Sequence, residues 1–207
     1  LTAVGDVNND QLGDFAIAAN GTVYLFSGDD AWAKYGQGAL TTSATIGTFS
    51  TADTAPTLVP LGDVNGDGIA DFGYTNGTAP QVVFGSAVHS WATTSLGGFN
   101  PAASGFMAGV GDVDADGRGD LLLGNADGDA YLFLGSDLTQ AQATIASVAT
   151  AASAPYVAGA DLNADGSSDL LLLPGTAVAA AAQVPFQATP IQREWLPGAA
   201  LIGTQPP

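Results

Sequence analysis

A nine-residue pattern, D-x-[ND]-x-D-x-x-x-D, occurs four times in this chain and constrains its fold more than any other feature. The copies run from Asp6 to Asp14, Asp63 to Asp71, Asp112 to Asp120 and Asp161 to Asp169. Their first aspartates lie 57, 49 and 49 residues apart, the longer first interval carrying an extra loop around Asp29 to Leu40. A period near fifty residues marks a repeat architecture, in which each copy is one supersecondary unit that buries its apolar surface against its neighbours.

The flanks of each copy read as strands. Short apolar segments precede the loops at Leu1–Val4, Thr57–Leu61, Phe106–Val110 and Tyr156–Ala158. Strand-like runs follow at Phe15–Ala19, Phe72–Thr75, Leu121–Gly124 and Leu170–Leu173. Turns come next at Asn20-Gly21, Asn76-Gly77 and Asp127-Gly128. These pairs favour two-residue hairpins, because both positions tolerate positive φ. Third strands are predicted at Thr22–Phe26, Gln81–Phe84 and Ala130–Leu134, and weaker fourth strands at Ala44–Phe49 and Ala143–Val148. The apolar runs do not alternate with polar residues, so the middle strands are expected to be covered on both faces. No segment has helical periodicity with caps. Ala177–Gln183 reads as a degenerate third strand of the last repeat, and the segment from Pro185 as Pro-rich and irregular.

Four short strands in about fifty residues is the size of a propeller blade. The predicted fold is all-β: a β-propeller with blades of four antiparallel strands, over about 1–54, 55–103, 104–152 and 153–184, then a Pro-rich tail or closing segment at 185–207.

The loop chemistry points to calcium. Side-chain oxygens recur at positions 1, 3, 5 and 9, and a backbone carbonyl at position 7 can complete the set. Calcium takes six to eight oxygen ligands in a forgiving geometry, at about 2.3–2.6 Å. The candidate ligands are Asp6, Asn8, Asp10, Leu12 and Asp14; Asp63, Asn65, Asp67, Ile69 and Asp71; Asp112, Asp114, Asp116, Arg118 and Asp120; and Asp161, Asn163, Asp165, Ser167 and Asp169. Leu12, Ile69, Arg118 and Ser167 would contribute their carbonyls. Gly68, Gly117 and Gly166 supply the bend at position 6, where the first loop has Gln11 and a more strained turn or a lower affinity is expected. Turn formation alone accounts for one Asp/Asn/Gly loop, but not for four copies in register. Position 12 holds Ile17, Tyr74, Leu123 and Leu172, so the Glu of an EF-hand is absent.

Composition agrees. The 207 residues carry 20 acidic and 3 basic side chains, a net charge of −17, and all the acids but Glu194 are Asp. A merely solubilising surface would draw freely on Glu. The loops hold thirteen of these acids, and four Ca²⁺ would bring the charge to −9. With Lys34, Arg118 and Arg193 as the whole basic complement, nucleic acid and anionic membranes are excluded as partners. No apolar run reaches the ~20 residues of a membrane span. The absence of Cys and the need for millimolar calcium suit a secreted or cell-surface location.

The segments GDVNGDGIADF…VVFGS and GDVDADGRGDLLLGN…AYLFLGS resemble FG-GAP repeats, the blades of the integrin α-subunit propeller and of many bacterial surface proteins. The resemblance implies that each loop joins the first two strands of a blade and binds calcium through the residues named above. It also implies seven blades, where this chain has four repeats. Two architectures follow. The chain is part of a seven-bladed propeller, an expectation that the mid-pattern start at Leu1 favours, or it closes alone as a four-bladed ring. In the first case both end repeats should meet protein, from further blades or another chain, with apolar faces open around Val23 and Leu25 and around Leu170 and Leu172.

Other features carry less. Arg118-Gly119-Asp120 spells an adhesion tripeptide, but Asp120 is a proposed ligand inside the fold. Asn20 and Asn76 match the N-glycosylation pattern and sit in hairpin turns. His89, the single histidine, is accompanied by no Cys and no Ser-containing nucleophile elbow, and no enzyme activity is expected. Trp32, Trp91 and Trp195 suit core between blades better than sugar stacking. The expected function is a calcium-stabilised extracellular binding or scaffold module for adhesion or protein–protein assembly, with carbohydrate as a further candidate ligand. The alternatives are a structural subunit of a surface assembly and a non-catalytic domain of a secreted carbohydrate- or lipid-acting enzyme.

Overall fold

The computed structural model describes residues 1–29, 44–75, 79–96, 104–125, 129–145, 156–173 and 200–202. The Ala177–Gln183 strand, Trp32, Trp195, the Asn76 sequon, the Asp127-Gly128 turn and most of the Asp29–Leu40 loop lie outside these residues. The protein is all-β, made of antiparallel meander sheets. The first sheet is β1 (Thr2–Gly5), β2 (Asp14–Ala19), β3 (Thr22–Phe26) and β4 (Thr45–Ser50), in that order. The second is β5 (Leu58–Gly62), β6 (Asp71–Tyr74), β7 (Gln81–Val83) and β8 (Thr93–Ser95). The third is β9 (Ser104–Gly111), β10 (Asp120–Asn125), β11 (Ala130–Phe133) and β12 (Ala143–Ile145). The fourth has β13 (Tyr156–Ala160), β14 (Asp169–Leu173) and β15 (Ala200–Ile202). These are propeller-type blades. No helix among the described residues is long and apolar enough to cross a membrane.

Two differences from the sequence reading concern strands. Thr93–Ser95 forms the fourth strand of the second sheet, a blade for which four strands were expected but no fourth was placed, because Thr-Thr-Ser has β propensity but no apolar signal. The third strand of the fourth sheet is β15, inside the 185–207 segment read as a Pro-rich tail or closing segment, and not at the expected Ala177–Gln183. Leu170 pairs with Ile202 and Leu171 with Leu201, so an apolar Ala-Leu-Ile triplet far along the chain completes the ladder.

The chain divides into two compact units, Leu1–Leu96 and Gly97–Pro207, each holding two sheets. In the first unit the core lies between the sheets, where Val4, Val7, Val23, Leu25 and Phe49 pack against Phe72, Tyr74 and Val83. Phe49 meets Phe72 edge-on at 5.7 Å and Trp91 at 6.5 Å. The Trp91 indole N–H donates to the Ile46 carbonyl at 3.0 Å, so this tryptophan ties the second sheet to the first. In the second unit Val110, Val113, Leu122, Leu132 and Leu170 form the core. β6 is buried at every residue and Leu121–Leu123 are fully buried, which is the two-faced burial that the non-alternating runs imply. Each such side chain contributes roughly 1.5–3 kcal/mol on leaving water.

One expectation is overturned. Val23 and Leu25 do not form an open face: both are fully buried against the second sheet. Strand alternation leaves Phe15, Ile17 and Tyr24 half-buried on the other face of the first sheet. Leu170 is buried as well.

Glycine decides how each loop leaves its first strand. In three sheets the register slips by one residue at the strand end, leaving Val4, Leu61 and Val110 unpaired and buried in a bulge. Gly5, Gly62 and Gly111 follow at φ of 90°, 78° and 74°, a conformation that a Cβ disfavours. The fourth sheet has Ala160 in that place, and its register runs straight through Ala160–Asp169 and Gly159–Leu170. The Asn20-Gly21 turn has both residues at positive φ, 52° and 74°, as its hairpin requires.

Candidate metal centre

Each Asp-rich loop joins the first two strands of its sheet: β1 to β2, β5 to β6, β9 to β10 and β13 to β14. Backbone N–H groups hold the carboxylates in one turn. The Oδ1 of Asp6, Asp63, Asp112 and Asp161 accepts from the position-5 amide at 3.0, 3.1, 3.1 and 3.2 Å. Their Oδ2 accepts from Gln11, Gly68, Gly117 and Gly166 at 2.7, 2.7, 2.8 and 3.0 Å. The position-5 aspartates accept at Oδ1 from Leu12, Ile69, Arg118 and Ser167, at 2.8, 2.9, 2.9 and 2.8 Å. The chain can turn this tightly because positions 4 and 6 are left-handed. Position 6 is Gln11 at φ 70° in the first loop and glycine at 84°, 85° and 92° in the others. The strain expected at Gln11 is therefore real. The sequence reading missed position 4, where Asn9, Ala115 and Ala164 stand at φ 60–62° and Gly66 at 78°.

The third position separates the loops. Asn8, Asn65 and Asn163 donate an amide N–H to the position-5 carboxylate at 2.9, 2.9 and 3.1 Å. Asp114 has no such donor. In its loop one carboxylate oxygen from each of Asp112, Asp114 and Asp116 lies within 4.8 Å of the others. Two oxygens on one calcium ion are at most about 5 Å apart, so this group fits that ion. Burial, and then the charges of Asp116 and Asp112, push the Asp114 carboxyl above its ordinary value. In the first loop burial opposes ionisation of Asp10, but bonds from Asn8, Leu12 and Ser27 and the charge of His89 outweigh it and pull Asp10 down.

The ninth-position aspartates are anchors as well as candidate ligands. Asp14, Asp71, Asp120 and Asp169 are at most 2 % exposed. Their Oδ2 accepts from the amide of Val7, Val64, Val113 or Leu162 at 2.9, 2.8, 2.7 and 2.9 Å. In the first three sheets Oδ1 accepts from Gly28, Gly85 or Gly135, just past the third strand, at 2.8, 2.7 and 2.8 Å. Burial outweighs these bonds and pushes Asp71 up to about 6 and Asp120 to about 7. Asp14 and Asp169 are also raised, by burial first. The structure thus brings Asp112, Asp114 and Asp116 together and leaves Asp120 outside that group, joined to Gly135 instead. Gly28, Gly85 and Gly135 were not singled out as site residues. Their recurrence 14, 14 and 15 residues after the ninth-position aspartate was the available signal. Asp120 is fully buried, so the Arg118-Gly119-Asp120 tripeptide presents no free carboxylate.

A family profile described as the FG-GAP-like repeat matches residues 112–172, from the first aspartate of the third loop into β14. This segment is similar to an FG-GAP-like repeat. It contains both loops of the second unit, and the loops of the first unit share the backbone bonds to their first, fifth and ninth aspartates. None of the curated proteins matches the chain. Among solved structures the chain is similar to "Crystal structure of BBS1N in complex with ARL6DN, soaked with lead", with 11 % identity and a TM-score of 0.42. The alignment covers 84 % of this chain and 49 % of that one, so the chain spans about half the length of that protein.

Proposed function

We propose that this chain is a calcium-stabilised β-propeller module that acts outside the cell as a non-catalytic binding or scaffold surface, in adhesion or protein–protein assembly. The observation that carries the reading is the convergence of Asp112, Asp114 and Asp116 in a loop whose backbone already fixes each carboxylate. When bound, calcium would neutralise these acids and hold the loops rigid, and rigid loops on a sheet scaffold make a recognition surface. Asp112, Asp114, Asp116 and the Arg118 carbonyl would hold it in the third loop, with corresponding positions in the others. Protein partners fit better than sugars. Trp91, the one tryptophan among the described residues, is engaged between sheets, while Phe15, Ile17 and Tyr24 leave a half-covered apolar face for a further blade or another chain. Calorimetric titration of the chelated protein with Ca²⁺ tests the reading. Four ions per chain are expected, and fewer than two would overturn it. Mg²⁺ should substitute poorly, since it demands a smaller and more rigid octahedron.

A further inference from the structure

The first two loops are joined by a continuous set of backbone bonds. The Val7 amide donates to Asp14 Oδ2 at 2.9 Å, and the Val7 carbonyl accepts from the Ser86 amide at 2.8 Å. The adjacent Gly85 amide donates to Asp71 Oδ1 at 2.7 Å, and Asp71 Oδ2 accepts from Val64 at 2.8 Å. A second link runs beside it, from the Ala70 amide to the Asp6 carbonyl at 3.1 Å. Two glycines make the approach possible. A Cβ on Gly5 would lie 2.7 Å from the Ala70 Cβ, and one on Gly85 would strike the carbonyls of Ala70 and Val7. The anchoring carboxylates of the two loops are thus linked through the backbone of Val7, Ser86 and Gly85, and the Asp6 carbonyl accepts from the amide of the residue before Asp71.

We propose that the first and second loops bind calcium as a coupled pair, occupancy of either raising the affinity of the other. The proposal rests on the calcium reading above. An ion held by Asp6, Asn8 and Asp10 would fix the first loop and, with it, the Asp6 carbonyl and the Val7 peptide that Asp14 anchors. The Val7 and Asp6 carbonyls then stand ready for Ser86 and Ala70, which border Gly85 and Asp71. The second ion enters a loop already ordered and loses less conformational freedom. Such coupling is reciprocal by linkage.

Calcium titration of the ¹⁵N-labelled chain followed by NMR tests this. The amides of Gln11 and Gly68 each donate to the first aspartate of their own loop and report on it separately. In the wild type the two curves should share a midpoint and be steeper than independent binding allows, although the strained Gln11 turn would by itself separate them. Asp67→Asn should silence Gly68 and move the Gln11 midpoint to higher calcium by about fivefold or more. Asp10→Asn should move the Gly68 midpoint by the same factor. Ser86→Pro, which removes the donor to Val7, should separate the wild-type midpoints. If Ser86→Pro does not fold, the wild-type curves and the two Asn variants still decide. A Gln11 midpoint within about twofold of wild type in Asp67→Asn, with Gly68 silent, would overturn the coupling and leave the calcium reading intact. Wild-type amides that ignore calcium would overturn both.

Discussion

The backbone N–H of Gly135 donates to the Asp120 carboxylate at 2.8 Å, fastening the end of the third strand to the base of the Asp-rich loop between the first two. The other carboxylate oxygen of Asp120 takes the Val113 amide at 2.7 Å. A residue chosen from sequence as a cation ligand is therefore also a buried structural junction, and the same holds for Asp14 and Asp71.

Asp120→Ala should destabilise the protein even in excess chelator. It strands two buried amides, each costing about 1–3 kcal/mol, so a loss of roughly 2–6 kcal/mol is expected in urea unfolding. A ligand-only role would show no loss without metal.

Asp114→Asn should change stability and affinity in opposite directions. The new amide supplies the donor that Asn8, Asn65 and Asn163 give their loops. The metal-free protein should gain about 1 kcal/mol, the worth of one such bond. Calcium affinity at the third loop should fall, because one carboxylate charge is removed. Tighter binding in calorimetry, or a lower metal-free melting temperature, would contradict the account.

Gln11→Gly should stabilise the chain by up to about 1 kcal/mol, since left-handed backbone costs a residue with a Cβ about 1–2 kcal/mol and glycine gives back part of that as entropy. The amide bond to Asp6 is kept. Gly68→Gln should reverse the sign in the second loop, where φ is 84°. Equal unfolding midpoints for wild type and Gln11→Gly would show that the turn carries no strain.

Without metal, stability should fall as pH rises. Asp71 at about 6 and Asp120 at about 7 both lie above the ordinary 3.8. Between these values the folded chain keeps protons that the unfolded chain has released. Their stabilising contribution is complete below about pH 4 and is lost as pH climbs through 6 and 7. Calcium bound in the loops as proposed would favour the ionised carboxylates and should flatten or invert the slope. Urea midpoints in chelator near pH 5 and pH 8 decide the matter, and a higher midpoint at pH 8 would refute the assignment.

Trp91→Ala should cost about 2–4 kcal/mol, by opening a cavity against Phe49 and removing the bond to Ile46. A loss under about 1 kcal/mol would mean that the tryptophan is not a tie between the two sheets.

The sequence by itself determined the repeat, the strand–loop–strand order and the oxygen-rich loop positions. These follow from local chemistry: Asp and Asn turn the chain onto their own backbone, glycine permits positive φ, and β-branched and aromatic residues extend. Gln11 was legible as strained for the same local reason. Tertiary structure alone decided what distant residues supply. β15 joins β14 from far along the chain, and Gly28, Gly85 and Gly135 reach back to the ninth-position aspartates. Val23 and Leu25 are covered by the second sheet instead of lying open. Ala70 bonds to Asp6 across two repeats. A one-dimensional pattern specifies which groups need partners, but a partner in another strand is chosen by how the sheets stack, and that depends on the packing of the whole core.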